Sequence, residues 1–330
     1  MPKTLTENTL LKKIERAFPS ARMNPLRLGI GDDAALFKPK PGHELVLTCD
    51  WFLEGSHFLR DRHPPDSVGW KCLARAASDI AAMGGEPKCF LLSLALPASA
   101  SGNWLKGFLK GLKRAAKHLR CQLAGGDTTR RDEILINVSV IGEVPNNRAV
   151  LRSGARQGDV VYVSGQLGQA GLGLRLLRSG GTRSVERAKA MQRHLYPEPR
   201  MALGRWLAIK RIATSMIDIS DGLSTDLGRL CEASQVGALL ESDGFPAVEI
   251  SGRIRPKIGD PLELALHGGD DYELLFTARP GKLPLLPWHF KGLRVSPIGR
   301  ITSGTNIVWH DAKTHVSKIL RQGGWDPFRR

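Results

Sequence analysis

Aspartate beside small residues recurs along this chain. GIGDDAALF (29–37) places Asp32 and Asp33 side by side, LTCD ends in Asp50, AASD in Asp79, and LAGGDTT carries Asp127. IDISDGLSTDLG holds Asp218 and Asp221, and LHGGDDYE holds Asp270 and Asp271. Carboxylates set among glycines can bring a metal ion and a phosphate close to the backbone. Mg²⁺ asks for that chemistry, with hard oxygen ligands, few protein carboxylates and the rest from phosphate and water. Any single motif of this kind reads equally well as a turn, because Asp with Gly is the commonest turn chemistry. The set as a whole does not. Asp79 falls near the end of an apolar helix and Asp218 inside an apolar strand, where an aspartate needs a partner.

Other chemistries are excluded by the same residues. GIGDDA matches G-x-G-x-x-A, and Asp50 follows at the spacing of a ribose-binding acid. Two aspartates would repel a pyrophosphate at such a loop, and the proline in MNPLRL argues against a strand before Gly29. The chain contains no G-x-x-x-x-G-K-[ST] and no G-x-S-x-G. IDISDGLSTDLG is the most informative stretch. Asp218 is expected at a strand end, Ser220 or Asp221 as cap of the next helix, and that helix N-terminus as a seat for an anion. Asp218 and Asp221 could hold the accompanying metal. Plain capping would explain Ser220 and Asp221 but not Asp218.

The elements that must position these acids mix strands and helices, so the class is α/β or α+β in two layers. Strands are expected at 45–50, 89–97, 134–145, from 160, at 272–278, and near 293–301 and 306–309. A helix is expected over 66–85 with Asp66 as N-cap and Gly84-Gly85 as its stop, and two more over 183–209. TSMIDISDGLSTDLGRLCEAS (214–234) reads as a strand running straight into a helix. The polar, glycine-bearing stretch 146–159 is the candidate domain boundary. The division expected is 1–148 and 149–330.

The chain has 330 residues, 42% hydrophobic and 24% charged, enough for two domains of ordinary size. Its longest apolar run, CFLLSLALP, is far short of the roughly 20 residues of a spanning helix. The opening residues lack a signal-peptide pattern, so a cytoplasmic protein without a membrane partner is expected. Five scattered cysteines, never in CxxC spacing, argue against a disulfide framework and a zinc site. The net charge of +16 suggests anionic partners, either nucleic acid or phosphorylated small molecules. Lys and Arg are spread along the whole chain, and the helix expected at 103–119 reads as a solvated basic face on a core helix. A nucleic-acid role is disfavoured.

Taken together, GIGDDAALF, TCDWFLEGSHF, SDIAAMGGEP, LAGGDTT, AVLRSGARQGD, IDISDGLSTDLG, GGDDYELLFT and the terminal GGWDPF resemble the thiamine-monophosphate kinase family, in that family's order and over nearly the whole chain. Its superfamily includes aminoimidazole ribonucleotide synthetase and selenophosphate synthetase. The resemblance implies an aminoimidazole ribonucleotide synthetase-like fold, with an N-terminal sheet that forms a barrel across a homodimer and a C-terminal α/β sandwich. It implies ATP-dependent phosphorylation of thiamine monophosphate to thiamine diphosphate, the last step of thiamine diphosphate biosynthesis, with several Mg²⁺ ions. The implied metal ligands are Asp33, Thr48, Asp50, Asp79, Asp127, Asp218 and Asp221. Gly126, Asp127, Arg152 and Ser220 would contact ATP, and His57, Asp270 and Trp325 the thiamine phosphate.

No catalytic base is expected. The acceptor is a phosphate monoester with a second pKa near 6, largely dianionic at neutral pH, so transfer depends on positioning and charge neutralisation. Three residues depart from the family pattern. Cys49 stands where a serine or threonine usually precedes the aspartate, Ala76 replaces an asparagine, and Asp270 replaces a glutamate of longer reach. The alternatives are another ATP-using member of the superfamily and a basic nucleic-acid-binding protein. No cysteine precedes Gly29, unlike selenophosphate synthetases.

Overall fold

The computed structural model describes residues 6–18, 25–30, 32–179, 185–250 and 259–328. They fall into two units, Met1–Ile80 with Gly85–Asn146, and Ala81–Gly84 with Asn147–Arg330.

The first unit runs α1 (Glu7–Ala17), β1 (Leu26–Leu28), β2 (Leu36–Phe37), β3 (His43–Leu53), α2 (Pro65–Ala82), β4 (Glu86–Leu96), α3 (Asn103–Leu119), β5 (Gln122–Arg130) and β6 (Leu135–Pro145). A strand does precede Gly29, contrary to expectation: Leu26–Leu28 forms just after Pro25. It pairs antiparallel with β2, so it is not the parallel βαβ of a dinucleotide site, and Gly31 lies outside the described residues. The main sheet has the order β3-β6-β4-β5, with only β4 and β5 parallel. Alternation along β3 buries Val46 and Phe52 and leaves Leu45, Leu47 and Trp51 exposed on the opposite face.

Asp66 is not the N-cap of α2. Pro65 leads the helix, where its missing N–H is no loss, and Asp66 sits in the first turn 3.6 Å from Arg114. The expected stop holds: Gly84 (φ 74°) donates to Ala81 O at 2.9 Å and Gly85 to Ile80 O at 2.9 Å. Helices α2 and α3 meet backbone to backbone. A Cβ on Gly69 would lie 2.0 Å from Phe108 O, and one on Gly111 1.8 Å from Asp66 O, so only glycine fits either crossing point.

The second unit runs β7 (Val160–Ser164), α4 (Gln169–Ser179), α5 (Val185–Leu195), α6 (Met201–Ile209), β8 (Ala213–Ile219), α7 (Leu223–Ser234), β9 (Gly237–Glu241), α8 (Pro261–His267), β10 (Glu273–Ala278), β11 (His289–Phe290), β12 (Leu293–Thr302), β13 (Ile307–Asp311) and β14 (Val316–Ile319). Its sheet order is β14-β13-β9-β12-β7-β10-β8, with β11 on β12, and only β13 and β9 are parallel. Both faces are covered, which explains apolar runs without polar alternation. Val161, Val163, Ile217, Ile219 and Leu275 join a core with Leu223, Leu227 and Leu230 of α7. Tyr162, Met216, Leu274 and Phe276 join another with Leu203 and Leu207 of α6.

Candidate active site

In the first unit, β3 and α2 bring three of the expected residues together in pairs. Thr48 and Asp50 alternate onto the same side of β3. The Thr48 hydroxyl donates to the Asp79 carboxylate of α2, and Arg75, one turn earlier on α2, meets Asp50 at 3.3 Å. Arg75 also stacks its guanidinium 5.5 Å from the Phe52 ring centre, which fixes the arm that reaches Asp50. Asp127 lies on β5, exposed, with Oδ1 accepting the Thr128 N–H at 2.9 Å. Its neighbour Gly126 runs so close to β4 that a Cβ would lie 1.9 Å from Leu92 O. Asp33 is exposed, and its N–H donates to Asp32 Oδ1 at 2.9 Å, so Asp32 shapes the turn that presents Asp33. His57 follows β3. Its Nδ1 accepts the Leu53 N–H at 3.1 Å, so one ring nitrogen is engaged in holding the loop. Cys49, one of the departures, points away from this group and pairs with Asn137 Nδ2 at 3.1 Å. Ala76, another, is fully buried in α2.

In the second unit, Asp218 is 3% exposed near the end of β8, as its place in an apolar strand required. The turn after it differs from expectation. Neither Ser220 nor Asp221 caps α7: the cap position is Gly222 (φ 112°), with no side-chain bond. Asp226, in the first turn of α7, does that work from inside. Its Oδ2 accepts the N–H groups of Ser220 (3.1 Å), Asp221 (3.0 Å) and Gly222 (3.1 Å), and its Oδ1 takes Arg229 at 2.8 Å. The anion that this helix N-terminus was expected to seat is therefore built in, since a carboxylate already meets the three amides and the positive end of the dipole. Burial, with Asp221 nearby, pushes Asp226 up to about 7, while Arg229 and the amides pull it down. Arg229 also reaches Asp221 at 2.6 Å.

Two further segments meet this turn. The loop 267–272 donates Asp270 N–H to Ser220 O at 2.8 Å and Tyr272 N–H to Ile219 O at 2.8 Å. Asp270 and Tyr272 both adopt positive φ, 69° and 50°, a conformation uncommon outside glycine and worth notice for it. The Asp270 carboxylate accepts the Tyr272 hydroxyl at 2.8 Å and faces His194 at 3.7 Å. Asp271 turns the other way and takes the amides of Gly168 (2.5 Å) and Ala170 (2.9 Å) at the start of α4, where burial raises it to about 7. The C-terminal segment is the second: Trp325 N–H donates to Asp221 O at 2.8 Å, with its side chain 47% exposed. Arg152 is exposed, and its loop is pinned by Ser234, whose hydroxyl donates to Arg152 O and accepts from the amides of Gly154 and Ala155.

Within each unit, then, several expected residues come together: Thr48, Asp50 and Asp79 around β3 and α2, and Asp218, Ser220, Asp221, Asp270 and Trp325 around one turn. Among the described residues, no group of three or more His, Cys, Asp or Glu side chains stands ready to hold a metal ion. Sequence reasoning passed over Asp226, Arg229, Arg75 and Ser234. Asp226 was in view in DGLSTDLG as an acid four residues after a glycine, and Ser234 carried no signal.

Comparison with known proteins completes the assignment. Residues 31–144 match the model of the AIR synthase related protein, N-terminal domain, and 156–309 that of its C-terminal domain. The thiamine-monophosphate kinase of Bacillus subtilis is 35% identical over 92% of this chain and 94% of that protein, and that of Escherichia coli K12 is 38% identical over 88% and 89%. The crystal structure of thiamine-monophosphate kinase from Stenotrophomonas maltophilia superposes with a TM-score of 0.81 at 35% identity, covering 95% of this chain and 98% of that one. AaThiL complexed with AMPPCP and TMP gives 0.77 at 33%, covering 98% and 97%. Hydrogenase maturation protein HypE in complex with ATP, at 18% identity, shares the fold alone. The chain belongs to the AIR synthase related family and, within it, to the thiamine-monophosphate kinases.

Proposed function

We propose that this chain transfers the γ-phosphoryl group of ATP to thiamine monophosphate, giving thiamine diphosphate and ADP. The observation that carries the reading is the full-length likeness to the kinases above, including a structure complexed with AMPPCP and TMP. Mg²⁺ is the proposed cofactor. Every donor in the proposed set is a hard oxygen, and the Thr48 hydroxyl already meets the Asp79 carboxylate, so the set suits the ion. Mg²⁺ needs only one or two protein carboxylates beside phosphate and water, so no three-acid cluster is required. Several Mg²⁺ ions would share the set, Asp33, Thr48, Asp50, Asp79 and Asp127 being the candidate ligands in the first unit and Asp218 and Asp221 those in the second. When bound, Mg²⁺ supplies charge neutralisation for phosphates.

The chain's own residues bind and orient. Gly126, Asp127, Arg152 and Ser220 are the proposed ATP contacts, with the Arg152 guanidinium suited to two phosphate oxygens at once. Asp270 and Trp325 would meet thiamine monophosphate, Trp325 by stacking on the cationic thiazolium. His57 would join them through Nε2, since Nδ1 is engaged by Leu53. No side chain removes a proton, because the acceptor phosphate is already largely dianionic at neutral pH. Arg75 and Arg229 hold Asp50 and Asp221 in place by ion pairs, which keeps those carboxylates aimed. A cytoplasmic homodimer formed through the first unit's sheet completes the reading.

The purified chain is incubated with ATP, Mg²⁺ and thiamine monophosphate and the products are separated. Thiamine diphosphate is expected from the parent chain, and none from Asp127→Ala or Asp218→Ala variants that keep the parent's circular dichroism. No product above a heat-killed control contradicts the function, and full activity in either variant removes that residue from the site.

A further inference from the structure

Leu320 is the last of the described residues to join the core, at 7% exposure, and the segment after it lies as a strap across the start of α7. Three successive amides are taken in turn. Gly323 N–H donates to Ser224 Oγ at 3.2 Å, Gly324 N–H to Thr225 Oγ1 at 3.1 Å, and Trp325 N–H to Asp221 O at 2.8 Å. Ser224 is itself buried and pairs with His267 Nδ1 at 2.8 Å, so its hydroxyl is fixed before it meets the strap. The approach is as close as a backbone allows. A Cβ on Gly324 would lie 2.1 Å from Asp221 O and 2.6 Å from Thr225 Oγ1, and one on Gly323 2.7 Å from His267 Nδ1. The Gln322 side chain lies over Gly228, one turn along α7, where a Cβ would come within 2.4 Å of its amide nitrogen.

Such close seating brings little apolar burial, since Trp325 stays about half exposed and Phe328 is 93% exposed. Its effect is to fix the place of the Trp325 ring relative to the Asp221 turn. We propose that Ser224 and Thr225 are positioning residues for substrate: their hydroxyls seat the C-terminal strap so that Trp325 presents its face to the cationic heterocycle of the acceptor. The inference rests on Trp325 as a substrate contact in the reading above. It assigns the second and third residues of IDISDGLSTDLG's helix to acceptor recognition, although neither is among the proposed phosphate or metal contacts. Thr225→Val keeps the shape and removes the bond.

The test uses the full chain with Ser224→Ala, Thr225→Val, the double variant and Thr225→Ser. Steady-state kinetics are paired with limited trypsin digestion, cleavage after Arg321 being read by intact mass. Loss of one hydrogen bond should raise KM for thiamine monophosphate about fivefold in Thr225→Val and more than about tenfold in the double variant, with kcat and KM for ATP within about twofold. Cleavage after Arg321 should quicken in the same order, and Thr225→Ser should restore both readouts. Unchanged KM for thiamine monophosphate overturns the proposal, whether or not cleavage quickens. So does a parallel fall in kcat and rise of both KM values, which marks general damage to the turn. If the parent chain makes no thiamine diphosphate, the functional reading fails, and the cleavage series still decides whether the hydroxyls seat the strap.

Discussion

Asp226 shows how one residue can set a site without belonging to the ligand set. Its carboxylate is fully buried, yet it accepts three backbone amides and a guanidinium, which offset part of the cost of burying the charge. Breaking such an arrangement leaves donors unsatisfied, so Asp226→Ala should lose about 3–5 kcal/mol of stability. Asp226→Asn, which keeps one acceptor oxygen, should lose less, as measured by urea unfolding. Equal stability in all three would show that the turn holds its own shape. At this scale the sequence was legible where a residue stood out of place. Asp218 in an apolar strand announced its burial. Asp226 did not, because an acid in the first turn of a helix is ordinary and its partners are main-chain atoms that have no letter in the sequence. Arg75 was hidden as a surface-looking arginine whose carboxylate partner lies on a strand, and Arg229 because its pairing with Asp221 of the preceding turn adds to an ordinary i,i+3 pair with Asp226.

Helices and strands were legible where periodicity or apolar runs were long. The strands at 45–50, 89–97 and 134–145 were all found: the last matches β6 to within a residue, β4 starts three residues earlier at Glu86, and β3 is longer at both ends because its pairing with β6 continues from His43 to Leu53. The three-residue β1 was missed because Pro25 outweighed so short a signal, and β14 because its four residues are all exposed. The α2–α3 contact was equally invisible, since a glycine in a helix reads as a weak helix former and gives no hint of a neighbour. That contact can be tested. On propensity alone Gly111→Ala would stabilise α3 by about 1 kcal/mol. The Cβ would instead sit 1.8 Å from Asp66 O, so the helices must separate, and the net change should be a loss of about 1–3 kcal/mol with a lower melting temperature. A rise in melting temperature would contradict the packing described.

Across the whole molecule, the first unit's sheet leaves an apolar face. Leu45 (45%), Leu47 (69%), Trp51 (54%) and Leu91 (38%) are exposed on β3 and β4, a patch of the kind that marks an interface. The proposed homodimer would cover it, so Leu47→Asp should shift sedimentation from dimer to monomer, and a parent chain that sediments as a monomer would contradict the proposal. No helix among the described residues is long and apolar enough to cross a membrane. The net charge of +16 suits a protein whose proposed ligands are polyanions. Fold class and family were legible at this scale because eight short motifs occur in one order along the chain, a signal that no one of them carries. The central claim, phosphoryl transfer from ATP to thiamine monophosphate, is tested most directly by following the label from ATP carrying ³²P at the γ position. The label should appear in the terminal phosphate of thiamine diphosphate in step with ADP. Label released only as inorganic phosphate, or retained in ATP, would contradict the account.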